Sequence, residues 1–489
     1  MGTLILGAGP AGLTAAYELH KLGLDSTVLE ADPRYVGGIA RTIEYHGYRF
    51  DIGGHRFFSK NSEIESLWTE ILGAEMLTRR RLSRIYYRGR YFDYPLRAMN
   101  AFWGLGPLET ARCILSYAVA RARPVRPAAS LEDWVSNQFG KRLFGIFFKT
   151  YTEKVWGIPT SELSADWAAQ RIKGLSLPQV LREALLPKRF RGDGIIKTLV
   201  DQFRYPRLGP GQMWDSVTAL LRGAGHEVLL DRSVTSLRWR AGRIEEVVSQ
   251  DSGGGEHRHH ATEVISSLPL RDLVSMLDPA PPEAVLAAAR ALSYRDFLTV
   301  GLITEGADLF PDNWIYVHDP DVKVGRLQNF RNWSPGMVTE ADRTGLGLEY
   351  FCFEGDGLWT MSDEALIALG GSELEALGLC SKADVVDGLV IRQTKAYPVY
   401  DDSYLQRVAV IREWLTANIP SLHLCGRNGM HKYNNQDHSM MTALVVARRI
   451  AGVGDLDPWR VNTDAEYNED WSDGEPDPTG RQVPLRRPG

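Results

Sequence analysis

The stretch Thr3-Leu-Ile-Leu-Gly7-Ala-Gly9-Pro-Ala-Gly12-Leu-Thr-Ala-Ala-Tyr17 opens the chain and decides how its first unit folds. Four consecutive residues at 3–6 form an apolar run, as expected of a strand buried in a parallel sheet. A glycine turn follows, and from Leu13 the apolar positions Ala16, Tyr17 and Leu19 recur at helical spacing. A second apolar run, Ser26-Thr-Val-Leu29, ends in Glu30. Strand, glycines, helix, strand and acid in this order define a dinucleotide-binding unit. Gly7 permits the tight turn, Gly9 lets a pyrophosphate approach the backbone, and Gly12 lets helix and strand pack closely. Glu30 is placed to accept hydrogen bonds from a ribose diol.

The residues after Glu30 select the dinucleotide. Tyr35-Val-Gly37-Gly38-Ile-Ala-Arg41-Thr42 supplies a second glycine pair and an arginine, and Phe50-Asp-Ile-Gly53-Gly54-His55 supplies a third pair. Extra glycine turns suit a cofactor with a pyrophosphate and a flat ring that both need close backbone approach, which favours FAD over NAD.

Working outward, the chain has 489 residues, 44% hydrophobic and 24% charged, enough for several domains with a substantial core. That composition excludes a disordered, collagenous or coiled-coil protein. A balance of 56 basic against 61 acidic residues, net charge −5, gives no global electrostatic argument for a nucleic-acid or membrane partner. Cys113, Cys352, Cys380 and Cys425 are far apart and form no CxxC pair, so no disulfide framework or metal site is expected. No run reaches the roughly 18 apolar residues of a membrane span, and no leader pattern precedes Gly7. The expectation is a cytoplasmic protein.

Residues 60–190 read mostly as amphipathic helices, at 63–72, 108–120, 131–147 and 179–186, interrupted by an aromatic and basic stretch at 84–96. The segment 225–237 reads as two strands, and 252–260 as a turn-like stretch whose histidines belong to a solvated hairpin tip. Val264-Ile-Ser-Ser-Leu268 reads as a buried strand, and runs at 297–304, 314–318 and 348–353 suggest a sheet carrying a substrate site. Leu422-His-Leu-Cys425 is a strand leading into Gly426-Arg427 and a helix from about residue 440, which closes the cofactor site from the far end of the chain. The fold expected is α/β: a Rossmann-type FAD-binding domain (1–59, 190–262 and 420–455) interleaved with a mostly helical domain (60–189) and a mixed or antiparallel-sheet substrate domain (263–419). A polar tail, 456–489, is expected to be loosely attached.

The run Gly426-Arg-Asn-Gly-Met-His-Lys-Tyr433-Asn-Asn435-Gln436-Asp-His-Ser439-Met-Met441 concentrates amides, hydroxyls and rings before a helix, more than a cap alone requires. Together with the GG-x-x-R-T and D-x-GG pieces it resembles the FAD-dependent amine oxidase superfamily, and within it the UDP-galactopyranose mutases, chiefly the eukaryotic type. Further landmarks resemble that type in the same order: Gly54-His55-Arg-Phe-Phe-Ser59, Asp93-Tyr94-Pro95, Trp167-Ala-Ala-Gln-Arg171, Trp314-Ile-Tyr316, Arg326, Asn332-Trp333-Ser-Pro335 and Tyr397-Pro398. Trp333 stands where that pattern has a tyrosine, and His431 where it has a tryptophan.

The resemblance implies FAD held by Gly7, Gly9, Gly12, Glu30, Gly38, Arg41, Gly54, His55, Val234 (near the adenine), Gly426, Arg427, Asn435, Gln436 and Ser439. It implies a nucleotide sugar held by Tyr94, Trp167, Arg171, Trp314, Tyr316, Arg326, Tyr397, Tyr433 and Asn435. Arg171 and Arg326 would retain the diphosphate and His55 would lie beside the flavin ring; these three are the catalytic candidates. The implied reaction is ring contraction without net redox change through a reduced-flavin N5 adduct, with NAD(P)H as a candidate reductant, no metal, and a homo-oligomer as the form often adopted by such mutases. The alternative is a flavin oxidoreductase of the same superfamily, taking hydride from a small molecule; a non-catalytic FAD-binding scaffold is a third reading.

Overall fold

The computed structural model describes residues 2–94, 96, 98–163, 165 and 202–461. A five-stranded sheet, all parallel, runs in the order Leu422–Leu424, Glu263–Ser266, Thr3–Leu6, Ser26–Leu29, Glu227–Leu229. Leu6 lies opposite both Leu29 and Ser266, and Ser266 opposite Leu424. The strands therefore end level, and Gly7, Glu30, Ser267 and Gly426 emerge at one carboxyl edge, where ligands bind in open α/β sheets. The strand Glu263–Ser266, second in this order, begins one residue beyond the expected boundary at 262.

Alternation along the strands separates two cores. Ile5 and Val28 face the helices Pro10–Lys21, Gly211–Gly223 and Gln436–Ile450, with Leu13, Trp214 and Leu444. Leu4, Leu6 and Leu29 face the other way, toward Leu273, Ile411 and Leu415.

A seven-stranded sheet has the order Val385–Pro398, Tyr294–Glu305, Arg343–Cys352, Arg326–Asn329, Trp314–Val317, Ser83–Tyr87, Arg90–Asp93. Its pairs are antiparallel except Trp314–Val317 with Ser83–Tyr87. Leu348 and Tyr350 face the helix Asp363–Ala376, while Phe351 on the opposite face joins Phe297 and Trp314. That second face looks toward the glycine pair at 53–54.

Four features differ from expectation. The stretch read as an interruption at 84–96 contributes two strands, 83–87 and 90–93, to this sheet, because Ile85 and Phe92 are buried in alternation with more exposed neighbours. The helix expected over 131–147 stops at Phe139: Gly140 takes φ +83°, and a Cβ there would lie 2.6 Å from the Tyr117 nitrogen. The last helix begins at Gln436 rather than near 440, since the His438 ring accepts the Asn435 N–H at 3.2 Å and caps it earlier than Ser439 could. The start of the expected tail is docked: Lys432 Nζ donates to the Trp459 and Val461 carbonyls, and Arg412 lies over the Trp459 ring at 4.8 Å.

Candidate active site

The nucleotide end is built by close backbone approach. A Cβ on Gly12 would sit 1.8 Å from the Gly7 carbonyl oxygen, so helix and loop meet there only through glycine. Gly9 is different: a Cβ there meets nothing nearer than the Gly38 Cα at 3.9 Å, so the two glycine loops lie side by side with room for a methyl between them. Glu30 closes the loop by accepting the Ala8 N–H at 2.7 Å and the Asp32 N–H at 3.0 Å. Burial raises its pKa, and those two hydrogen bonds oppose the rise. The Arg232 N–H donates to the Glu30 carbonyl at 2.8 Å, which ties the strand of the buried Val234 to the Glu30 turn.

The residues present fit FAD. Arg41 Nη1 donates to the Gly38 carbonyl at 2.8 Å and to Gln393 at 3.0 Å, while its buried Nε makes no hydrogen bond and has only the Asp32 carboxylate at ion-pair distance, 3.8 Å. Gln436 Oε1, in the first turn of the last helix, is likewise buried and unpartnered. Gly426, at φ +78°, would place a Cβ 2.9 Å from that of Ala11, and its N–H donates to Thr442. It thus joins the early turns of Pro10–Lys21 and Gln436–Ile450, whose amino ends favour anionic oxygens. Asn435 and Ser439 belong to the same turn, linked by the Ser439 N–H to the Asn435 carbonyl.

On the ring side, Gly53, Gly54 and His55 pack against the seven-stranded sheet. A Cβ on Gly54 would lie 2.8 Å from Gln328 Nε2, and one on Gly53 3.7 Å from Glu349 Oε1 and 3.9 Å from Arg326 Nη2. His55 Nε2 donates to the Ile52 carbonyl at 2.7 Å. Burial, then the nearby Arg427 and Arg326 charges, drive its imidazole down to about 4, so it is neutral at physiological pH.

Two guanidiniums therefore flank His55, and they differ. Arg326 gives its Nε to both Glu349 oxygens at 2.9 and 3.0 Å, and its Nη2 at 2.5 Å. Burial alone would lower its pKa, but Glu349 overrides burial and holds it charged. Arg427 forms no carboxylate pair among the described residues. Its Nε donates to the Asn434 carbonyl at 2.8 Å and its Nη1 to the Ala396 carbonyl at 3.0 Å. Its plane lies 5.2 Å from the Tyr397 ring and 5.3 Å from the Tyr433 ring, which stack on each other at 5.6 Å. Burial raises Tyr397 to about 12, so its phenol remains a donor.

Further along, Tyr316 touches Tyr94 at 4.7 Å and Tyr151 at 5.5 Å, with Tyr94 itself half-exposed. Trp314 is buried between Trp333 and the Arg81 guanidinium. Trp333 Nε1 donates to the Asn313 carbonyl at 2.7 Å, so it serves the aromatic core. Trp167 and Arg171 lie outside the described residues. The structure brings together His55, Arg326, Tyr316, Tyr397, Tyr433 and Arg427, and adds three residues that sequence reading missed: Glu349, Gln328 and Tyr151. Glu349 had one signal, a lone carboxylate inside an apolar strand run, which requires a buried partner.

A parallel Rossmann-type sheet with glycine turns at its carboxyl edge, set against a second, mostly antiparallel sheet, is the architecture of a dinucleotide-binding protein. The profile of the family described as flavin containing amine oxidoreductase matches residues 10–450, and the chain belongs to that family. The chain is 40% identical over 67 residues to protoporphyrinogen oxidase 2 (chloroplastic/mitochondrial) of Arabidopsis thaliana, covering 14% of this chain and 13% of that protein. It is 29% identical over 174 residues to the "Probable UDP-galactopyranose mutase" of Klebsiella pneumoniae, covering 33% of this chain and 43% of that one. These matches span less than half of either relative. Among solved structures, a reduced UDP-galactopyranose mutase superposes with a TM-score of 0.80 at 23% identity, over 94% of this chain and 97% of that one. A putrescine oxidase bound to putrescine gives 0.61 at 20% identity, over 92% and 99%. At these identities the likeness is one of fold. Among the described residues no helix is long and apolar enough to cross a membrane.

Proposed function

We propose that the chain interconverts the pyranose and furanose forms of a nucleotide sugar. The observation that carries this reading is Arg427, a cation with no carboxylate partner among the described residues, fixed by two carbonyls over a tyrosine pair beside His55. A nucleoside diphosphate supplies the negative charge that such a cation, the unused Nη1 of Arg326 and phenolic donors can neutralise without a metal. When bound and reduced, for which NAD(P)H is the candidate donor, the flavin supplies the nucleophile. The chain's own residues bind and orient. Arg427, Tyr397 and Tyr433 retain the diphosphate while its bond to the sugar is broken, and Arg171 and Trp167 complete the sugar end. Tyr94 and Tyr316 border the base. His55, neutral and tied to Ile52, fixes the backbone at the ring rather than moving a proton.

The Arg326–Glu349 pair favours a second reading. It cancels one of the two charges a diphosphate clamp uses, and so suits an uncharged substrate that gives hydride to the oxidised flavin. Titration of UDP and UDP-sugars into the yellow protein, followed by flavin absorbance, separates the two. A saturable spectral change that Arg427→Ala weakens, with flavin retained, supports the mutase reading. No response to any nucleotide refutes it.

A further inference from the structure

The chain's charge is balanced overall, but one surface is not. Residues 98–128 hold Arg112, Arg121, Arg123 and Arg126 against a single acid, Glu109. They form the helices Ala98–Leu105 and Pro107–Ala122, the second about 24 Å long. The longer helix is amphipathic in the inverse sense. Toward the protein it turns Cys113, Ser116 and Tyr117: Ser116 accepts the Arg142 N–H, and the Tyr117 backbone abuts Gly140. Toward solvent the two helices present Met99, Trp103, Leu108, Ile114, Leu115 and Val119, with Trp103 71% exposed and Leu108 and Leu115 66%. Exposed apolar side chains scattered singly need no account, but six large ones on adjoining turns form a patch of the kind that marks an interaction surface.

The rim says what covers it. Glu109 is engaged by Arg142 and Arg112, and the side chains of Arg121, Arg123 and Arg126 are exposed and form no ion pair or hydrogen bond among the described residues. A tryptophan and aliphatic face bordered by unpaired arginines matches the chemistry of an interfacial helix, whose apolar side enters the headgroup boundary while guanidiniums meet lipid phosphates. A second copy fits less well: a two-fold pairing would bury the same basic rim twice, with no free acid to answer it.

We propose that the helices Ala98–Leu105 and Pro107–Ala122 seat the protein on an anionic bilayer surface. The shorter helix begins four residues after Tyr94, so the docked face lies beside the outer rim of the active site. The proposal stands independently of the reaction.

Flotation of the full, flavin-loaded chain with vesicles tests it. Binding is expected to phosphatidylcholine vesicles containing phosphatidylglycerol, with much weaker binding to phosphatidylcholine alone and loss at high salt. Leu115→Glu with Val119→Glu, and separately Arg121→Glu with Arg123→Glu, should each cut binding tenfold or more, on the order expected for these groups. Both variants should keep flavin absorbance and near-UV circular dichroism, since the changed side chains face solvent. Absence of wild-type binding, or binding unchanged in both variants, overturns the proposal. So does a wild-type dimer that the Leu115/Val119 variant converts to monomer while vesicles capture neither form.

Discussion

Arg326 and Glu349 stand directly opposite each other on neighbouring antiparallel strands, and the carboxylate takes both Nε and Nη2 of the guanidinium. Glu349 is fully buried, so neither charge survives alone at low cost. Glu349→Ala and Arg326→Ala should each destabilise the protein by about 3–5 kcal/mol in urea unfolding. The double variant Arg326→Met with Glu349→Leu should recover much of that loss. Additive losses in the double variant would mean the pair is not coupled.

The glycine cradle separates two roles for similar residues. Gly12→Ala forces a Cβ against the Gly7 carbonyl and should leave little folded protein. Gly9→Ala adds a methyl that meets nothing nearer than the Gly38 Cα at 3.9 Å, so the chain should fold with native circular dichroism and lose its flavin. Yellow Gly9→Ala protein with full flavin occupancy would place the pyrophosphate elsewhere.

Asp51 lies buried beneath the cradle, accepting hydrogen bonds from Thr42 at 2.8 Å and from the Tyr205 hydroxyl. Burial, the largest effect, raises it to about 7, and the two hydrogen bonds oppose the rise. The folded chain therefore holds a proton that the unfolded chain releases near the ordinary carboxylate value. Stability from this group is greatest at low pH and falls as pH climbs from about 4 to about 7. Asp51→Asn removes that slope. The difference in Tm between variant and wild type should grow in the variant's favour over this interval and then level off; a flat difference would show that Asp51 titrates normally.

His55 should not titrate in the working range, because its pKa is pushed down to about 4. Its imidazole resonances in NMR should be constant from about pH 5.5 to 8, whereas an ordinary histidine inflects near 6.5. An inflection between those limits would indicate that His55 is more exposed to water, or farther from Arg427, than this geometry has it.

Arg427→Ala should weaken UDP binding by about tenfold to a hundredfold, the range for loss of a charge-assisted hydrogen bond. Isothermal titration on flavin-loaded protein measures this directly. An unchanged affinity would remove Arg427 from the diphosphate site.

How much of this was legible in sequence follows from the range of the interactions. The first strand, the glycines and Glu30 are local, and their spacing alone specified the cradle. The strand at 422–424 was readable because an apolar run met a glycine, yet its place at the sheet edge depended on pairing with residues 264–266. Arg326 was found by its order among aromatic landmarks. Its neutralisation by Glu349 was hidden, since 23 residues separate the partners and strand register alone brings them together. Tyr151 was similarly hidden: a tyrosine in a helical run reads as packing until Tyr316, on the seven-stranded sheet, is seen to meet it. The early start of the last helix was missed because a histidine cap is a rarer signal than the acid and serine beside it.

The most direct measurement of the central claim is turnover. The flavin-loaded protein is incubated anaerobically with UDP-galactopyranose and other nucleotide sugars, with and without dithionite, and the products are separated by chromatography. A furanose isomer is expected in the reduced samples alone, with no net consumption of reductant. No isomer in any reduced sample, together with bleaching of the oxidised flavin by one of the substrates, would contradict it and establish hydride transfer instead.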